Sequence, residues 1–73
     1  MEYTEPQPAS RALLDELGNV CLNYPLPPGH TISHATANEL VRRGWAERNR
    51  DSHFIPTREG IRRYERAERM GDL

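Results

Sequence analysis

The stretch Asn38-Glu39-Leu40-Val41-Arg42-Arg43-Gly44-Trp45-Ala46-Glu47-Arg48-Asn49-Arg50-Asp51-Ser52-His53-Phe54-Ile55-Pro56-Thr57-Arg58-Glu59-Gly60 decides how this chain folds. Its first residues favour helix, and Gly44 stands where a left-handed glycine would close one. Residues 45–48 and 53–56 suit two short strands. Between them, Asn49-Arg50-Asp51-Ser52 is a run of turn formers with a charged tip. Thr57 is a good N-cap, and Glu59 in the following turn complements the positive end of the helix dipole. The order read from these residues is helix, hairpin, helix.

Working outward, Ser10 can cap a first helix in which Leu13, Leu14, Leu17, Val20 and Cys21 share one face. Gly18-Asn19 interrupts that pattern and predicts an early end, with residues 20–22 as an irregular turn. The proline-rich loop 23–29, which contains Tyr24-Pro25-Leu26-Pro27-Pro28-Gly29, cannot be helix interior, because its prolines lack donors and force extended geometry on their neighbours. Thr31 or Ser33 then caps a second helix reaching Arg43, with Ile32, Ala35, Thr36, Leu40 and Val41 expected inward. The last helix is predicted over 58–70, with Ile61, Tyr64 and Ala67 inward and Gly71 as its stop. Glu59 with Arg63, and Glu65 with Arg69, have the spacing of i,i+4 pairs contributing roughly 0.3–0.5 kcal/mol each. Residues 1–9, with two prolines and two acids, read as a flexible arm, leaving 10–73 as a single domain.

A chain of 73 residues makes one domain at most. A domain of that size buries only about 60% of its unfolded surface and leans on each large apolar residue it has. No apolar run approaches the ~20 residues of a membrane span, and the N-terminal residues lack the basic and apolar regions of a signal peptide. Cys21 is the single cysteine, so no intrachain disulfide can form, and a cytoplasmic location is expected. All ten basic residues are arginine, whose guanidinium pairs bidentately and tolerates desolvation better than ammonium. The charge is unevenly placed. Residues 1–41 hold one arginine against five acids, a net −4, while residues 42–73 hold nine arginines against six acids, a net +3. With an overall charge of −1, the chain lacks the strong positive balance through which duplex DNA binders gain most of their affinity.

The segment 38–45, the polar hairpin after it and Pro56-Thr57-Arg58-Glu59-Gly60 resemble winged-helix transcription regulators, in which a recognition helix ends at a glycine and passes into a two-stranded wing. The resemblance spans about residues 31–66. It implies a mainly α, winged-helix-like three-helix domain with a small β-hairpin, the wing occupying 45–56. It also implies groove contacts from the outward face of the second helix, at His34, Asn38, Arg42 and Ser33, and backbone contacts from a wing tip at Arg48, Asn49 and Arg50. The departure lies upstream: a complete helix-turn-helix has a bracing helix where this chain has its proline loop. Shortened chains of this kind resemble small phage regulators that bind bacterial RNA polymerase and inhibit or redirect it. The resemblance thus points to a protein partner, RNA polymerase, with duplex DNA a weak ligand. The alternative it carries is direct DNA binding, as in winged-helix repressors or phage excisionases.

Tyr24 and Leu26 on the rigid proline loop, and Tyr3 in the arm, are the candidate exposed anchors for a protein partner. Trp45 and Phe54 are expected in the core, because the wing must pack on something. His30, His34, His53 and Cys21 contain metal-ligating types, but no second cysteine or paired carboxylate completes a set, so no metal or other cofactor is assigned. Asp15 and Glu16 are adjacent acids that point in different directions on a helix, and no base or phosphate loop accompanies them. No enzymatic activity and no small-molecule substrate are expected.

Overall fold

Leu13, Leu14, Leu17 and Val20 give the first helix an apolar stripe that must be covered, and the rest of the molecule is arranged around it. The computed structural model describes residues 11–71. The arm, Tyr3 and the Ser10 cap lie outside these described residues. Helix α1, Arg11–Asn23, packs against helix α2, His34–Arg42, on one side and helix α3, Arg58–Arg69, on the other. Strands β1, Ala46–Arg48, and β2, Phe54–Pro56, form an antiparallel hairpin with Ala46 opposite Pro56, Glu47 opposite Ile55 and Arg48 opposite Phe54. Each strand is shorter by one residue than the sequence predicts, at its Trp45 or His53 end. Phe54, Leu17, Leu40 and Val20 have no exposed surface and form the centre of the core together with Ala37, Ala46 and Ala67. Among the described residues the domain is mainly helical, winged-helix-like, with three α-helices and a two-stranded wing.

The prediction that α1 ends at Gly18-Asn19 is wrong, since the helix runs on to Asn23. Gly18 is kept for space rather than for a turn: a Cβ there would lie 2.9 Å from the ring of Tyr64 on α3, so the glycine lets α3 approach. The inward face of α2 also differs from expectation. Ala37 and Leu40 are buried, whereas Ala35 is exposed, Ile32 is 66% exposed and Val41 lies at the surface. The cause is Glu16. This α1 side chain is 0% exposed, and its carboxylate accepts backbone N–H bonds from Ile32 (3.2 Å) and Ser33 (2.9 Å), which sets the entry of α2 and turns Ile32 outward. Ser33 is the N-cap, its Oγ accepting from the Thr36 amide.

The proline loop is likewise held by backbone pairing. Leu26 exchanges two hydrogen bonds with Phe54, N–H to carbonyl at 2.9 Å and carbonyl to N–H at 2.8 Å, and so adds a one-residue third strand beside β2. Leu26 is therefore only 3% exposed, and its expected role as a surface anchor is withdrawn: an extended residue at a sheet edge satisfies its backbone there and carries its side chain into the core. In place of a bracing helix there is a single 3-10 turn, Pro28–His30.

Helix α2 closes as the sequence predicts. Gly44 has φ +78°, its N–H bonds to Val41 O, and the Trp45 N–H reaches back to Leu40 O. Those two bonds are the Schellman arrangement, which satisfies carbonyls the helix end would leave open. Thr57 then ties the start of α3 to that corner. Its Oγ1 donates to Gly44 O (2.6 Å) and accepts from the Gly60 amide, while its N–H donates to Trp45 O. The approach is so close that a Cβ on Gly60 would lie 1.9 Å from the Trp45 carbonyl oxygen. Gly71, at φ +75°, follows the C-cap Met70 and ends α3.

Two glycines thus serve different needs, and substitution separates them. At Gly44 nothing lies near a prospective Cβ, so only the backbone angle is at stake. Gly44→Val is expected to cost about 2 kcal/mol and Gly44→Asn clearly less. Gly60→Ala is expected to cost on the order of 3 kcal/mol or more, because backbone must move to admit one methyl. Thermal melts followed by circular dichroism rank the three, at roughly 4–8 °C per kcal/mol for a domain of this size. A Gly60→Ala protein melting within 2–3 °C of the parent, on that same rough scale, would contradict the packed α3 corner.

Candidate interaction surface

His34, Asn38 and Arg42 recur every four residues on α2, and all three are exposed. Arg48 on β1 faces them across the corner: its Nη2 donates to Asn38 Oδ1 at 3.1 Å, and its guanidinium lies over the Phe54 ring, 4.6 Å from the centroid. The structure therefore joins two predicted site residues, one from the helix and one from the wing, into a single ridge. The Asn38 acceptor is occupied by that bond. Arg42 is partly occupied as well, with Nη1 3.3 Å from Glu39 Oε1.

Glu39 serves a second arginine. Arg43 Nε lies 2.9 Å from Glu39 Oε2, and this hydrogen bond, helped by the nearby charge of Arg42, lowers the Glu39 carboxyl below its ordinary range. The Arg43 guanidinium also stands 5.3 Å from the centroid of Trp45, and that of Arg63 on α3 stands 5.5 Å from it. Trp45 is half-buried against the core, so one aromatic ring sits beside two cations from different elements. The sequence reading placed Trp45 in the core and did not anticipate those cations. Phe54 is in the core as expected.

Arg50 occupies the exposed turn of the wing and makes no ion pair among the described residues. Its position is set by Asn49, whose Oδ1 accepts from the amides of both Asp51 and His53, while Ser52 takes φ +63°. Tyr24 follows the end of α1 and is 56% exposed, two residues before the Leu26 bridge to β2. Tyr24 thus keeps the exposed position predicted for it. The structure brings Asn38 and Arg48 together and leaves His34, Arg50 and Tyr24 as separate exposed points. Ser33, read as a possible groove contact, is engaged as the α2 cap.

The buried Glu16 escaped the sequence reading, although its spacing carried a signal. Three residues after Leu13 and four before Val20, it belongs to the inward stripe of α1. Asn19 extends its network, donating to Glu16 Oε2 (2.9 Å) and to the His30 carbonyl (3.2 Å). Asn23 in turn donates to Asn19. Two polar side chains of α1, Glu16 and Asn19, therefore hold the loop that stands where a bracing helix would be, and Asn23 braces Asn19.

Among the described residues no group of three or more His, Cys, Asp or Glu is gathered in a way that could hold a metal ion. Cys21 packs against the core, and burial first, with the Glu65 carboxylate second, pushes its thiol up to about 11. Below that pH the folded thiol stays protonated. At pH 8, iodoacetamide is therefore expected to alkylate native Cys21 roughly 100-fold more slowly than the same thiol in denaturant. Equal rates in the two states would contradict its packing. No helix among the described residues is long and apolar enough to cross a membrane. Comparison with models of known protein families, with curated proteins and with solved structures finds no match for this chain.

Proposed function

We propose that this chain is a small, phage-encoded transcription regulator that acts through protein contact, binding bacterial RNA polymerase and inhibiting or redirecting it. The observation that carries the reading is the pairing of an intact helix-to-wing corner with a missing brace. Recognition-helix and wing residues share one ridge through the Asn38–Arg48 bond, while the element that would seat that helix on a DNA backbone is reduced to the turn Pro28–His30. The polar groups of the ridge are also partly committed to one another, Asn38 to Arg48 and Arg42 to Glu39. Base readout needs such groups free to form bidentate bonds with base edges. A protein surface accepts a ridge of paired arginines, and Tyr24 is an exposed aromatic elsewhere on the molecule; interfaces concentrate their energy in these residue types.

Direct DNA recognition is the second reading. It is favoured by the exposed row His34, Asn38 and Arg42 and by the uncompensated Arg50 at the wing tip.

Binding to purified RNA polymerase separates the two. The parent is expected to bind the enzyme, and Arg48→Glu/Arg50→Glu to weaken that binding at least tenfold with a changed salt dependence. Tyr24→Ala should act mainly by speeding dissociation. Random duplex DNA at ~0.15 M salt should bind with Kd of ~10⁻⁴ M or weaker. Both variants should keep the far-ultraviolet dichroism of the parent. If the parent fails to bind polymerase, or if both variants bind it as tightly as the parent, the proposal is lost. Sub-micromolar, sequence-selective binding of DNA at ~0.15 M salt would instead establish the second reading.

A further inference from the structure

Helix α3 carries Arg58, Arg62, Arg66 and Arg69 at steps of four, four and three residues, which places all four on one stripe about 16 Å long. The stripe lies opposite the buried Gly60 and Ala67, and all four side chains are exposed. The spacing of Glu59 with Arg63 and of Glu65 with Arg69 permits i,i+4 pairing, but neither forms an ion pair, and none of the four stripe arginines has one among the described residues. The physical reason is exposure. A fully solvated pair gains little Coulomb energy and loses side-chain entropy, so permissive spacing does not ensure contact. Arg63 is drawn aside to the Trp45 ring. Between the side chains runs an open polar trough of about 480 Å³, lined by Arg62, Arg63, Arg66 and Arg69 with Glu59 and Glu65.

We infer that this stripe is a contact surface for the phosphate backbone of duplex DNA, distinct from the ridge formed by α2 and the wing. Two features select a nucleic-acid backbone over an acidic protein. First, the centre of the stripe holds no large apolar or aromatic side chain; Ile61 and Met70 are exposed only at its margins. A protein interface draws most of its energy from such anchors, whereas a phosphate backbone is bound through charge alone. Second, the cations are all guanidinium groups in a straight row, a geometry that meets successive phosphate oxygens with planar, bidentate donors. Glu65 lies within the same trough and opposes an anion there, which keeps the contact weak at physiological salt. A contact of that strength acts when another surface of the molecule already holds it beside DNA, because tethering raises the local concentration. The inference concerns a separate face and holds whether or not the ridge binds polymerase.

Four phosphate contacts give a slope of log Kobs against log salt of about −3.6, so lowering salt from ~0.15 M to ~0.02 M tightens binding about 1000-fold. The test is fluorescence anisotropy of the full chain with a labelled random-sequence duplex across that range. The parent should show a slope between about −3 and −4. Arg62→Gln/Arg66→Gln/Arg69→Gln should bring it to about −1 and weaken binding at ~0.02 M salt at least 100-fold. Glu65→Gln, which leaves every arginine in place, should tighten binding several-fold, and Arg50→Gln should change it less than the triple substitution does. The substituted side chains are all exposed, and melting curves verify that each variant is folded. The inference is overturned if the parent does not bind at ~0.02 M salt, if the triple variant keeps the parent's slope, or if Glu65→Gln binds no tighter. It is also overturned if Arg50→Gln removes the binding, which would transfer it to the wing.

Discussion

Glu16 is a carboxylate with no solvent exposure in a chain of only 73 residues, and its oxygens are met by the backbone donors of Ile32 and Ser33 and by the Asn19 amide. A buried charge is tolerated only when its hydrogen bonds are made, and removing one partner costs much more than the pair contributes. The loop from Pro28 to Ser33 is thereby committed to one course over α1. That course fixes where α2 begins, and α2 in turn fixes the corner at Gly44 and the wing beyond it. The contact also explains how the fold does without a bracing helix between α1 and α2. Backbone that would otherwise lie unsatisfied against α1 is received by Glu16 and Asn19, and by the exchange of hydrogen bonds between Leu26 and Phe54.

Positions far from any partner surface therefore determine the surface. Gly44, Thr57 and Gly60 bring the end of α2, the base of the wing and the start of α3 to one point, where Trp45 O accepts from Thr57 N–H and the Trp45 ring stands beside Arg43 and Arg63. From that junction the arginines divide. Arg42, Arg43 and Arg48 are engaged with Glu39, Trp45, Asn38 or Phe54, while Arg50, Arg58, Arg62, Arg66 and Arg69 are left to solvent. The two groups have different electrostatic characters. Engaged arginines give a shaped, partly neutralised ridge, and free ones give a field that salt screens within about 8–10 Å.

The parts of this fold that were legible in the sequence are those governed by local backbone chemistry. Arg43-Gly44-Trp45 announces a helix end because only glycine takes positive φ readily, and Thr57 three residues before Gly60 announces a helix start. The hairpin followed from the turn formers between two short apolar-bearing runs. The misreadings all concern tertiary context. Propensity reads Gly18 as a stop because it carries no information on the Tyr64 ring that occupies the space of the missing side chain. Leu26 reads as an exposed anchor because a proline loop does not reveal which strand edge it will meet. Ile32 and Val41 were turned the wrong way because α2 takes its rotation from Glu16, a residue whose charge disguised its place on the apolar face. The acids of α3 allowed pairing by spacing, and solvation decided otherwise. Of the candidate surface, the identity of the ridge residues was legible, and the Asn38–Arg48 bond that joins them was not.

The central claim is that the Glu16 carboxylate holds the loop in place of a bracing helix, and native-state amide hydrogen exchange on Glu16→Gln tests it most directly. A glutamine offers one carbonyl oxygen where two carboxylate oxygens accept, leaving at least one buried donor unmet at a cost of about 1–3 kcal/mol. The amides of Ile32 and Ser33 should then lose protection by a larger factor than those of Trp45 and Gly60, which belong to the α2–α3 corner. Unchanged protection at Ile32 and Ser33, or an equal loss at all four amides, would contradict the claim that this carboxylate is the local clamp on which the entry to α2 depends.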